Sequence, residues 1–102
     1  MEELMAYIAK QKVWSGITFG NGKRTKGITN HIRLELKEIE DDSDRPNEWI
    51  DVVILALDGA WRTGATPKQI VEILKEKQII NFNREFPFPE SEDHTSEHTR
   101  GK

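Results

Sequence analysis

The chain has 102 residues, 15 basic and 18 acidic side chains and a formal charge of −3, so it holds one small core and shows no overall bias toward nucleic acid or an anionic membrane. It has no cysteine, which excludes disulfides and thiolate metal sites, and no segment reads as a signal peptide or an apolar span of ~20 residues. A cytoplasmic protein without membrane or nucleic-acid partners is the expectation.

Apolar residues recur at helical spacing, and the alternation of strands is missing, which predicts an all-α fold of four helices. The first covers about 2 to 14, with Leu4, Met5, Ile8 and Val13 as a modest stripe. From Ser15 to Gly27 the chain reads as a glycine-rich basic loop containing Gly16, Gly20, Gly22, Gly27, Lys23, Arg24 and Lys26. Such a loop serves either as a solvated connection or as a phosphate clamp, because glycines admit an anion to backbone N–H groups and the bases balance its charge. Its spacing fits neither a P-loop nor a dinucleotide fingerprint. The second helix covers about 28 to 41, capped by Thr29 or Asn30, and the third about 47 to 63, capped by Asn47, with Glu48 in its first turn and Gly64 as its stop. The fourth opens at Thr66-Pro67, where Gln69 completes a capping box, and continues to about 83. Residues 1–89 form the helical domain in this reading, and 90–102 a polar tail without periodicity.

Two acidic motifs stand out: Glu35-x-x-Glu38 on the second helix and Glu48-x-x-Asp51 on the third. Ile28, Ile32, Leu36 and Ile39 share one face, and His31, Glu35 and Glu38 line its flank. On the third helix, apolar residues from Trp49 to Trp61 cover nearly the whole circumference, leaving Glu48, Asp51, Asp58 and Arg62 as one polar stripe, the pattern of a central helix whose stripe faces a cleft or an interface. Single acidic pairs of this kind are ordinary solvated faces. Two pairs with the same i,i+3 geometry, one within an apolar helix, point instead to a cation site, and ligation by oxygen alone favours Mg²⁺ or Mn²⁺. Asp58 either ligates the cation or hydrogen-bonds one of its ligands, or it is the partner of Arg62 in an i,i+4 ion pair. His31 either orients Glu35 or donates to a phosphate, or it is a satisfied, partly buried histidine.

These residues resemble the all-α nucleoside triphosphate pyrophosphohydrolases of the MazG-like superfamily, whose signature is E-x-x-E followed by E-x-x-D. Thr18-Phe19-Gly20-Asn21-Gly22, Arg24-Thr25, Gly27-Ile28, His31-Ile32 and the run from Glu48 to Ala60 are similar to its dATP/dGTP diphosphohydrolase (MazZ-like) branch. The resemblance implies a four-helix fold in which Glu35, Glu38, Glu48 and Asp51 hold two or three Mg²⁺ or Mn²⁺ ions. Water then attacks the α-phosphorus of a purine deoxynucleoside triphosphate, dGTP ahead of dATP, with Glu35 or Glu38 as candidate base. Lys77, Asn81 and Arg84 match a K-x-x-x-N-x-x-K/R element that touches the triphosphate, and Arg24 or Lys26 could add charge. Trp14 or Phe19 could stack on the base. The family forms dimers or dimers of dimers, and three tryptophans in so small a chain agree with a homodimer or homotetramer. Asn21 stands where the branch has proline, and Phe86-Pro87-Phe88 replaces its W-P-D, departures that bear on base choice and on how the tail docks. The competing reading is a non-catalytic helical module that binds nucleotide or protein around a structural cation.

Overall fold

The computed structural model describes residues 1–84, and every described element is a helix: α1 (Glu2–Phe19), α2 (Thr25–Asp41), α3 (Pro46–Trp61) and α4 (Pro67–Phe82). The chain divides into two compact units, Met1–Val71 and Glu72–Lys102. Among the described residues no helix is long and apolar enough to cross a membrane. The tail from Glu90 and the Phe86-Pro87-Phe88 segment lie outside the described residues.

Helix α1 runs five residues past its expected end, straight through Ser15-Gly16. Gly16 does not break it, because the bare Cα faces the Asn21 side chain, which occupies the space a Cβ would need. Ser15 is completely buried, and its hydroxyl accepts from Arg62 Nη2 at 2.8 Å. The helix stops at Gly20, whose φ of 89° suits a residue without a Cβ and whose N–H donates to the Gly16 carbonyl.

The glycine-rich connection therefore shrinks to Gly20–Arg24, and α2 begins at Thr25, three residues before expectation. Neither expected cap acts as one. The Thr29 hydroxyl donates to the Lys26 carbonyl, and Asn30 Oδ1 accepts from Arg33 Nη1 at 2.6 Å, so both are spent inside the helix. Helix α3 starts one residue early, because Pro46, already fixed in φ, fills its first position. It ends at Trp61, two residues before expectation, with Arg62 as its C-cap, and Gly64 at φ 101° follows in the closing turn and donates its N–H to the Trp61 carbonyl. The capping box of α4 is also as read: Gln69 N–H donates to Thr66 Oγ1 at 3.1 Å, and Thr66 N–H to Gln69 Oε1 at 2.9 Å.

In the first unit α2 and α3 pack along their length and α1 crosses α3. Ile8, Trp61, Ile70 and Val71 form the core, with Leu4, Met5, Leu57 and Ala60 against it; Ile28 and Ile39 are buried on α2. The expectation that α3 is buried all round is corrected here. Trp49, Ile50 and Val53 are each about half exposed, because α1 and α2 cover only the faces of α3 that meet them. In the second unit the rest of α4 ends with Asn83 N–H donating to the Ile79 and Ile80 carbonyls, and Ile73, Leu74, Ile79 and Phe82 are exposed.

Candidate metal and nucleotide site

The length of the α2–α3 contact decides where the acidic motifs meet. Each motif lies on a helical flank bordering that seam, so packing the apolar faces brings the flanks together. One carboxylate oxygen each from Glu35, Glu38 and Glu48 lies within 4.8 Å of the others, close enough to share a cation. Asp51 stands beside this trio: with His31, Glu35, Ile54 and Leu55 it lines a hollow of about 330 Å³, and its charge acts on both Glu35 and Glu38.

The electrostatics of the cluster are unfavourable without a cation. Burial pushes the Glu35 carboxyl above its ordinary pKa, and a proton-sharing contact with Glu48 and the charges of Glu38, Asp51 and Glu48 push the same way. Glu38 is raised chiefly by its contact with Glu48 and that group's charge, then by burial, against a smaller opposing contact from Glu35. Little nearby positive charge offsets this. Arg45 Nη2 is 3.6 Å from Glu48 Oε2, and His31 Nε2 is 3.5 Å from Glu35 Oε2. Glu35 Oε1 is buried with no hydrogen-bond donor among the described residues. A carboxylate oxygen so placed is satisfied either by a proton held between carboxylates or by a cation, and three converging hard oxygens suit a divalent ion.

Asp58, two turns beyond Asp51 on α3, is not brought to the trio. Its Oδ1 accepts from Trp61 Nε1 at 2.9 Å, its Oδ2 from Arg62 Nε at 3.2 Å, and Arg24 Nη1 lies 3.9 Å away. Arg62, which the sequence offered only as an ion-pair partner, is a buried clasp. Its Nη1 donates to the carbonyls of Gly20 and Gly22 at 2.7 Å each and its Nη2 to Ser15, while the guanidinium lies over the Trp61 ring. It fixes the end of α1 and the turn into α2 against α3. The Asp58/Arg62 spacing was the one sequence sign of it.

The aromatic candidates sit on the last turns of α1 rather than in a loop. Trp14 and Phe19 pack edge to face with centroids 5.8 Å apart, and the Arg24 guanidinium covers Phe19 at 4.5 Å. Neither ring lines the acidic hollow. Lys26 lies in the first turn of α2, and Arg24 just before it. Lys77 and Asn81 are one turn apart on the part of α4 belonging to the second unit, and Arg84 follows that helix. A second hollow, of about 310 Å³, opens between the first half of α2 and the second half of α3, and no motif announced it.

The family model described as dATP/dGTP pyrophosphohydrolase matches residues 7–101. No curated protein and no solved structure matches the chain.

Proposed function

The chain belongs to the dATP/dGTP pyrophosphohydrolase family, and on that footing we propose that its α2–α3 acidic cluster is a Mg²⁺ or Mn²⁺ centre at which a purine deoxynucleoside triphosphate, dGTP ahead of dATP, is cut to monophosphate and pyrophosphate. The observation that carries the proposal is the convergence of Glu35, Glu38 and Glu48 oxygens, one carboxylate retaining a buried oxygen that no donor reaches. Four carboxylates repel a triphosphate, so substrate and site tolerate each other only across intervening cations, two or three of them. When bound, such ions supply Lewis-acid polarisation of the α-phosphate and a water acidic enough to ionise near neutral pH.

The protein's own contribution is placement and proton handling. Glu35, Glu38, Glu48 and Asp51 supply ligand oxygens from two rigid helices, which fixes their separation before substrate arrives. Glu38, the exposed member of the trio, or Glu35 is the candidate base that takes the proton of the attacking water. His31 is placed to hold Glu35 Oε2 in one rotamer. Lys77, Asn81 and Arg84 are assigned phosphate oxygens, as the family resemblance implies, and Lys26 adds positive charge at the start of α2. The protein works in the cytoplasm as a homodimer or homotetramer.

Glu48→Gln tests the reading. The variant should keep its helical content and lose at least a hundredfold in pyrophosphate release from dGTP with Mn²⁺. An unchanged rate in a folded variant contradicts it. A wild type with no turnover that nevertheless loses its assembly on the same substitution supports the binding-module reading instead.

A further inference from the structure

We propose that the hollow between the first half of α2 and the second half of α3 receives the purine base, and that the cations at its rim make the protein prefer guanine over adenine; the inference rests on the proposed pyrophosphohydrolase site. The hollow measures about 310 Å³, at the lower end of the ~300–1,000 Å³ range of small-molecule pockets, room for a base and part of a sugar but not for a triphosphate. Ile28 and Ile32 on α2 and Leu55 on α3 give it apolar walls, against which a flat ring system packs. Gly59 is part of the lining: a Cβ there would stand 4.0 Å from Ile28 Cγ2, in ordinary contact, so a side chain as large as leucine has to compete for room between α2 and α3.

Position along the helices links this hollow to the acidic one. Leu55 lines both. Ile32 lies one turn before Glu35, and from Ile32 to Glu38 the rise is six residues, about 9 Å at 1.5 Å each, comparable with the separation of a base from its α-phosphate. Trp14 and Phe19, the bases' stacking partners by sequence, line neither cavity. Phe19 instead holds the Arg24 guanidinium, which does line the base hollow, so Phe19 is a positioning residue.

The rim carries the selectivity. Lys23 and Arg24 offer donors only, and guanine presents two adjacent acceptors, O6 and N7, to such groups, whereas adenine replaces O6 with an amino donor. Facing two cations, the adenine amino group meets donors where guanine O6 would accept, and a donor so mismatched is penalised.

Steady-state kinetics with dGTP and dATP test this, with Mn²⁺ binding measured separately by calorimetry. Gly59→Leu should raise KM for both nucleotides at least tenfold and leave Mn²⁺ affinity unchanged. Exposed Lys23→Met, which leaves the core untouched, should lower the ratio of kcat/KM for dGTP over dATP about tenfold, the scale of one lost base contact. A wild type that turns over dGTP, with Lys23→Met preserving that ratio or folded Gly59→Leu preserving both KM values, overturns the base pocket alone. A wild type that prefers dATP overturns the rim assignment, and one that turns over neither overturns the catalytic reading and this inference with it.

Discussion

At Glu35, burial and like charge act in the same direction. The residue is about 9% exposed, its carboxyl faces Glu38, Glu48 and Asp51, and ionising it without a cation is unfavourable. Because the folded-state pKa values of Glu35 and Glu38 lie above those of the unfolded chain, their contribution to stability is fully present below the ordinary carboxylate range, near 4.5, and is lost as pH rises through the raised values. Thermal melts of metal-free protein between about pH 4 and 8 should therefore show these residues lowering Tm as pH rises. Excess Mn²⁺ should remove that trend, since the ion binds the deprotonated form, and metal affinity should weaken as pH falls through the same window. A metal-free Tm insensitive to Glu35→Gln at every pH would contradict this. Arg62 poses the opposite case, a buried cation whose partners are all satisfied. Arg62→Ala removes the nearest cation from the Asp58 carboxylate and the Arg62 donors from the carbonyls of Gly20 and Gly22, and should cost about 3–5 kcal/mol in urea denaturation. A loss below about 1 kcal/mol would mean that the clasp is dispensable.

At the scale of the elements, signals carried by neighbouring residues were legible and signals that depend on a distant partner were not. Thr66-Pro67 with Gln69 fixes the start of α4, because a capping box is complete within four residues. The acidic motifs were equally local, and the pairing of the α2 and α3 flanks followed from their apolar faces. Gly16 reads as a breaker until Asn21 is seen folded over it, and Thr29 reads as a cap until its hydroxyl is found on Lys26. The Arg62 clasp joins residues forty or more apart, and the hollow beside Gly59 is enclosed by residues of two helices, so neither has a sequence motif. Thr66→Ala should cost about 1 kcal/mol through loss of the cap, read by urea denaturation. Gly64→Ala should destabilise by a similar amount, because alanine is strained at φ 101°.

At the scale of the whole molecule, several large apolar side chains among the described residues stand in water. Trp49, Ile50 and Val53 on α3, and Trp14 and Ile17 on α1, are all close to half exposed or more. The proposed homo-oligomer would cover part of this surface. Val53→Glu should then lower the mass measured by light scattering toward that of a monomer, and an unchanged mass would remove Val53 from any interface.

Product analysis reads directly which bond is cut, and the one expected is the α–β anhydride of a purine deoxynucleoside triphosphate. Wild-type protein with Mg²⁺ or Mn²⁺ should convert dGTP, and more slowly dATP, to the monophosphate and pyrophosphate, and Glu48→Gln should abolish both products. Release of orthophosphate and a diphosphate, or no turnover by folded, metal-loaded protein, would contradict the account.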